Sequence, residues 1–120
     1  MNMNKLKEEI TLQLIKIIHK AEHKITQREL AQRVGISLGK INACIAEMVE
    51  DELIKINRFN KSDPKSSNSY MLTPKGIEEK FRLLIHILSR KIREHEVLGK
   101  EIEGLNQEIQ QYSIAQQQKQ

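Results

Sequence analysis

The stretch TQRELAQRVGISLGKINACIAEM, from Thr26 to Met48, decides the fold of this 120-residue chain. It holds two short amphipathic patterns, and residues 34–37 (VGIS) separate them with a glycine and a serine. The second pattern begins at residues 37–40 (SLGK), which are small, cationic and hardly apolar. A helix that only filled a core would not begin with such residues, so we expect this turn to face a partner.

The two patterns predict a pair of helices joined by a tight turn. Thr26 and Glu29 are spaced as in a capping box, and Gly35 suits the residue that ends a helix. Ser37 is a natural N-cap for the second helix. The expected inward residues recur at helical spacing. They are Leu30, Ala31 and Val34 in the first helix and Ile41, Cys44, Ile45, Met48 and Val49 in the second.

A helix before this pair and a hairpin after it complete the pattern. Residues 5 to 21 repeat apolar side chains at helical spacing, with Leu6, Ile10, Leu14, Ile17 and Ile18 as the expected inward stripe. Residues 24–26 form a short extended link. Alternation over residues 54–57 indicates a strand, residues 59–68 a polar loop and residues 70–72 the returning strand. This order predicts a mainly α fold with a winged helix-turn-helix domain over residues 5–73.

A long heptad pattern begins after Thr73 and Pro74, a favoured helix start. Its seam is apolar except at Lys91 and His95 and runs for about five heptads. We expect a coiled-coil dimerisation helix over 74–112, most simply with a second copy of the chain, and a disordered tail over 113–120. Its broader first half should also pack on the winged domain. The dimerisation positions are Ile77, Phe81, Leu84, Leu88, His95, Leu98, Ile102, Leu105 and Ile109.

Positive charge is concentrated in two segments. The chain has a formal net charge of +4 and a pI near 9.2. Residues 24–42 hold four cations and one anion, residues 55–65 again hold four cations and one anion, and residues 47–52 between them are acidic. We expect a folded surface with one cationic side, which permits nucleic-acid binding.

The sequence is typical of a soluble cytoplasmic protein, which DNA binding would associate with the nucleoid. No apolar run approaches the roughly 18 residues of a membrane span. The N-terminus lacks the apolar block and cleavage site of a signal peptide. The single cysteine, Cys44, cannot form an internal disulfide, in agreement with a reducing compartment.

The second helix of the pair has the chemistry of a DNA-reading element. A helix N-terminus fits a major groove ~12 Å wide and favours nearby phosphates. Asn42 can pair bidentately with adenine, and Ala43 or Leu38 can touch a thymine methyl. Cations of the wing can reach the backbone or the minor groove. The candidate DNA-binding residues are Thr26, Gln27, Arg28, Ser37, Leu38, Gly39, Lys40, Asn42, Ala43, Arg58, Lys61 and Lys65.

Two other interpretations stay open beside DNA binding. The third helix of an ordinary three-helix core also shows polar residues to water, and a charged wing can be a solvated loop. Alternatively, the winged domain binds a protein and the coil joins a larger assembly. The two basic segments favour DNA, because they fall on the elements that a winged helix presents together.

The sequence does not favour an enzyme, a cofactor or a metal site. Cys44 lies on an inward helix face, which is typical of a buried, inert thiol. His19 and His23 are four residues apart, but no third ligand lies nearby in sequence. His95 occupies the seam, where we expect it to tune the register of the coil. Glycine-rich phosphate loops and the motifs of zinc proteases and serine hydrolases do not occur in the sequence.

Two segments, QRELAQRVGISLGKINACI and YMLTPKGIEEK, resemble small MarR-type winged helix regulators, the exopolysaccharide-associated (EPS-associated) transcriptional regulators. The similarity covers most of residues 10–95. Its most specific parts are residues 36–40 and 72–78. The resemblance implies a bacterial transcription factor that binds double-stranded DNA as a homodimer, with helix 37–50 in the major groove and residues 57–69 as the wing.

The chain departs from larger MarR proteins in two ways. Those proteins dimerise through helices from both termini and often hold an aromatic ligand, whereas the first helix here belongs to the winged domain. Only two Phe and two Tyr are present to line a pocket, which argues against a small-molecule effector. A two-fold dimer would require an inverted DNA repeat.

Overall fold

The computed structural model describes residues 3–21, 24–58 and 68–119. The chain divides into two compact units, Met1–Ile85 and His86–Gln120. The first turns of the last helix therefore belong with the elements that precede them. In chain order the elements are α1 (Met3–Lys20), α2 (Gln27–Val34), α3 (Leu38–Glu50), β1 (Ile54–Arg58), β2 (Asn68–Leu72) and α4 (Pro74–Gln118).

The caps of α2 and α3 are those that the sequence predicts. Thr26 is the N-cap of α2, and its Oγ1 accepts a hydrogen bond of 3.0 Å from the backbone N–H of Glu29. Gly35 ends α2 in the left-handed region with φ 81°, which costs a glycine little. Ser37 Oγ accepts from the backbone N–H of Lys40 at 3.2 Å and begins α3. The predicted helix-turn-helix is confirmed.

The strands β1 and β2 form an antiparallel two-stranded sheet. Ile54 lies opposite Leu72, and Ile56 lies opposite Tyr70. The predicted hairpin is therefore present. The loop expected over residues 59–68 falls outside the described residues, except for Asn68 at the start of β2.

The inward face of α1 differs from the predicted stripe. Leu14 and Ile18 are buried as expected, but Leu6 is 46% exposed, and Leu12 and Ile15 are buried instead. Because α1 contacts both α2 and β2, it buries a face turned toward two neighbours rather than one. The other buried apolar side chains of the core are Ile25, Leu30, Ile41, Ile45, Met48, Leu53, Ile54 and Leu83.

Thr73 and Gly76 fix the start of α4 against the end of α3. Thr73 is buried, its Oγ1 accepts from the backbone N–H of Gly76 at 2.9 Å, and this hydroxyl lies 2.6 Å from the carbonyl oxygen of Glu52. The backbone N–H of Thr73 donates to the carbonyl oxygen of Leu53 at 3.0 Å. Gly76 lies so close to Leu53 that a Cβ built on it would be 2.2 Å from the same carbonyl oxygen. This start of α4 therefore requires a glycine.

The buried side of α4 and its heptad seam are different faces. Gly76 and Leu83 are the buried residues of α4, and they are seven residues apart on one side of the helix. Leu83 is 2% exposed and belongs to the core of the first unit, in agreement with the expectation that the first half of this helix packs on the winged domain. The helix also continues to Gln118, past the expected end at residue 112. Glutamine and alanine are good helix formers, so the helix does not need an apolar face to continue.

Candidate nucleic-acid interface

The N-terminal half of α3 is divided into a buried and an exposed face. Ile41 and Ile45 are buried in the core. Leu38 is 44% exposed, and Lys40 and Asn42 are exposed on the same turns. Because the inward residues hold α3 to the core, the exposed residues are presented on a fixed helix.

Five of the predicted DNA-binding residues lie together. Gln27 and Arg28 of α2 line one shallow depression with Leu38, Gly39 and Asn42 of α3. The depression lies where the N-terminal turns of the two helices meet. A partner that enters it would touch cationic, amide and apolar groups within one small area.

The remaining predicted residues of these two helices border the same turns. Thr26 and Ser37 use their side-chain oxygens as acceptors for the caps, and each hydroxyl keeps its own hydrogen for another acceptor. Ala43 is exposed next to Asn42. Both caps can therefore hold their helices and still donate to a phosphate.

Charge divides α3 along its length. Lys40 is exposed on the N-terminal turn, whereas Glu47, Glu50 and Asp51 are exposed toward the C-terminal end. Lys7 of α1 lies 2.6 Å from a carboxylate oxygen of Glu47, and this hydrogen-bonded contact raises the pKa of Lys7. A polyanion would therefore meet the N-terminal half of α3 and avoid its acidic end.

Comparisons with known proteins agree with this geometry. Residues 7–55 match the family described as "Winged helix-turn-helix DNA-binding". The match covers the three helices and the start of β1, and it agrees with the winged helix-turn-helix fold of the structure. The description of the matched family names DNA binding, which is the activity that the sequence predicts for these helices. No curated protein matches the chain in sequence.

Solved structures of three bacterial proteins share the fold of the winged helix domain. A mutant of MepR from Staphylococcus aureus has a TM-score of 0.57 at 14% identity, over 72% of this chain and 61% of that one. PcaV from Streptomyces coelicolor gives 0.53 at 22%, over 69% and 57%. MarR from S. aureus, in complex with salicylate and kanamycin, gives 0.55 at 21%, over 74% and 63%. This chain thus spans about three-fifths of the length of these relatives.

The cations predicted for the wing are only partly within the described residues. Arg58 is the last residue of β1, but its side chain is not among the described ones. Lys61 and Lys65 lie outside the described residues. Lys55 is exposed on β1. Contact between the wing and DNA stays a prediction.

The sequence patterns do not predict a polar contact that joins α2 to the hairpin. The side-chain amide Nε2 of Gln27 donates to the hydroxyl oxygen of Tyr70 at 3.2 Å, and both side chains are half-buried. The two residues are 43 positions apart, so no local pattern could have paired them. Tyr70 therefore joins the residues that border the candidate interface.

The described residues include two of the groups considered for chemistry, Cys44 and His19. Cys44 is half-buried rather than fully buried, and desolvation raises the pKa of its thiol, which keeps it protonated. His19 Nδ1 lies 3.1 Å from Nζ of Lys80, and His23 lies outside the described residues. Within residues 3–21, 24–58 and 68–119, no group of three or more His, Cys, Asp or Glu could hold a metal ion.

Among the described residues, no helix has an apolar stretch of the length that a membrane span requires.

The heptad seam of α4 is exposed over most of its length. Leu84 is half-buried, and His95 is exposed. Seven apolar seam positions of the predicted interface are exposed: Ile77, Phe81, Leu88, Leu98, Ile102, Leu105 and Ile109. The fold of the single chain therefore leaves this stripe without apolar cover on the described residues.

Proposed function

We propose that this chain is a sequence-specific transcription regulator of the MarR type, which binds double-stranded DNA as a homodimer. The observation that carries the proposal is the N-terminal half of α3: its inner face is locked in the core, and its outer face presents Lys40 and Asn42 beside the depression. In this proposal α3 enters the major groove, and the wing over residues 57–69 lies on the backbone or in the minor groove. The protein would act in the cytoplasm, at the nucleoid.

The relatives of similar fold support a regulatory role. PcaV is described as a transcriptional regulator. Because the likeness shows the fold alone, we infer regulation of transcription for this chain from the exposed residues at the start of α3. We also propose that the chain belongs to the EPS-associated group, because residues 36–40 and 72–78 resemble that group. A small-molecule effector is not part of the proposal.

A salt titration tests DNA binding first. Phosphate contacts by Arg28, Lys40 and the wing cations release counterions, so the logarithm of the affinity for duplex DNA of mixed sequence should fall linearly with the logarithm of salt concentration. A slope near zero, or no binding at low salt, would contradict the proposal. It would favour the second candidate, an assembly module, which the exposed stripe of α4 also supports.

Asn42 should read a base, whereas Lys40 should contact phosphate. We expect Asn42→Ala to cost ~1–3 kcal/mol on the preferred site and to relax one base position, because an amide carries donor and acceptor together. Lys40→Ala should weaken binding to all sequences alike and lower the salt slope by ~1. Genomic fragments selected by the purified protein supply the preferred site. Equal loss on preferred and mixed DNA for Asn42→Ala would rule it out as a reader.

The exposed seam of α4 supports dimerisation with a second copy in parallel. With Ile102 and Ile109 at a positions, Glu94, Glu101 and Glu108 fall at g. Antiparallel helices would bring these glutamates face to face, whereas parallel helices set them near less acidic neighbours. A parallel pair also carries two winged domains to one end of the coil, as an inverted DNA site requires.

A cysteine crosslink distinguishes the two directions. In a Cys44→Ala background, Leu105→Cys should form a disulfide with its own copy under mild oxidation, because equal d positions meet in a parallel coil. Lys100→Cys, on the outer f position, is the matched control and should form no crosslink. Non-reducing electrophoresis measures both. Failure of Leu105→Cys to crosslink, in a protein that sediments as a dimer, would mean that the helices run in opposite directions.

A further inference from the structure

We infer that Tyr70 donates a hydrogen bond to a DNA phosphate and that Gln27 positions it. The two side chains would form one phosphate-binding pair between α2 and the wing hairpin. This inference rests on the proposed DNA binding and deepens it, because it adds a contact that is neutral and lies on the hairpin.

The pair lies across the junction of two parts of the fold. Gln27 is the first residue of α2, directly after the cap Thr26, whereas Tyr70 lies in the middle of β2 opposite Ile56. The hydrogen bond of 3.2 Å between the amide Nε2 and the hydroxyl oxygen joins them. Both side chains are half-buried, so each is partly held by its surroundings and partly open to a ligand.

In this hydrogen bond the Tyr70 hydroxyl is the acceptor, so it can still donate its own hydrogen. A phenolic hydroxyl has one hydrogen to donate, and here its oxygen already accepts from Gln27. Its hydrogen is therefore available to a different acceptor. Hydrogen bonds in a chain polarise one another, so an O–H group that accepts from an amide becomes a better donor.

The surroundings favour an anion as that acceptor. Gln27 lines the depression that also contains Arg28 and Asn42. Arg28 is exposed directly after Gln27, and Lys24 in the link before α2 and Lys40 on the first turn of α3 are exposed as well. A phosphate oxygen of the DNA backbone combines the negative charge that these cations attract with the acceptor that the hydroxyl requires. Gln27 is then a positioning residue and not a base reader.

A double-mutant cycle on DNA of mixed sequence tests the pair, since a phosphate contact does not depend on sequence. We expect Tyr70→Phe and Gln27→Ala each to weaken binding by about 2- to 12-fold, as the net loss of one hydrogen bond predicts. The double variant should bind DNA as tightly as the single variant of lower affinity. The salt slope should stay unchanged, because a neutral phenol releases no counterion, whereas Arg28→Ala should lower it by ~1.

A second variant tests whether the pair lies close to a phosphate. Gln27→Glu leaves Tyr70 in place but offers it a carboxylate acceptor, which would draw the hydroxyl hydrogen away from phosphate and repel the DNA. It should therefore bind more weakly than Gln27→Ala, although the bond between residues 27 and 70 is retained. Tyr112→Phe, which removes an exposed hydroxyl from the second unit, is the matched control and should bind like the unmodified chain.

Three results would overturn the inference while DNA binding stands: less than twofold loss for Tyr70→Phe, additive losses in the double variant, or Gln27→Glu binding as well as Gln27→Ala. Urea unfolding of each variant excludes a loss that only reflects unfolded protein. If the unmodified chain itself does not bind duplex DNA, the proposed function fails together with the inference. The two failures are therefore distinguishable.

Discussion

A chain that stops after Ile85 should fold as a monomer and lose its selective binding to an inverted DNA site. The first unit, Met1–Ile85, contains all the buried apolar side chains of the described residues, including Leu83 at 2% exposure. The rest of α4 carries most of the exposed seam. Removing it should leave the free energy of unfolding of the winged domain largely intact and abolish the coil.

The expected loss of affinity is large because one winged domain offers DNA little surface. A single module buries about 600–1,000 Å² on DNA, which suffices for weak, salt-sensitive binding. Pairing two domains makes the second contact intramolecular, and avidity of this kind is worth about 10²- to 10⁴-fold. We expect a loss of that order on inverted half-sites spaced about one helical turn, ~34 Å. Binding to mixed DNA should change far less.

A pair of substitutions in the full chain provides the control. Ile102 and Val97 are both apolar and similarly exposed, at 51% and 57%, but Ile102 lies in the seam and Val97 outside it. Ile102→Asp should therefore produce monomers, whereas Val97→Asp should not. Sedimentation measures both variants and the truncated chain. A truncated dimer would place the interface in the winged domain, and a monomer with full selectivity would mean that the coil serves another partner.

The elements that could be predicted from the sequence are those whose signals are local or periodic. The caps at Thr26 and Ser37 depend on residues no more than three positions away, so their geometry follows from the local sequence. The start of α4 at Thr73 and its seven-residue repeat are of the same kind. These signals suffice to place five DNA-binding candidates of α2 and α3 in one depression.

The features that were missed depend on contacts between distant parts of the chain. The buried face of α1 is set jointly by α2 and β2, which periodicity within α1 cannot reveal; Leu12 and Ile15 were therefore not recognised. The bond between Gln27 and Tyr70 joins α2 to β2 and has no counterpart in any single segment.

Gly76→Ala should destabilise the winged domain by about 2 to 3 kcal/mol, the upper part of the typical cost of forcing an extra methyl into a packed site. The new Cβ would lie 2.2 Å from the carbonyl oxygen of Leu53 and 2.6 Å from a methyl group of Leu72. The Leu72 side chain can turn away, but the carbonyl cannot move freely. It accepts from the backbone N–H of Thr73 at 3.0 Å, so moving it disturbs the hydrogen bonds that begin α4.

The same substitution at Gly104 of α4 should raise stability instead of lowering it, which shows that the loss at Gly76 comes from its close contacts. A Cβ on Gly104 would meet nothing within 4 Å, and alanine is favoured over glycine in a helix by about 1 kcal/mol. Gly104→Ala should therefore stabilise the chain slightly, while Gly76→Ala should lower the melting temperature by roughly 10 °C or more for a domain of this size. Thermal unfolding by circular dichroism, at one protein concentration, measures both. Equal melting temperatures for the two variants would mean that α4 can move away from Leu53 at little cost, and that its start is not the fixed support on which the hairpin and α3 depend.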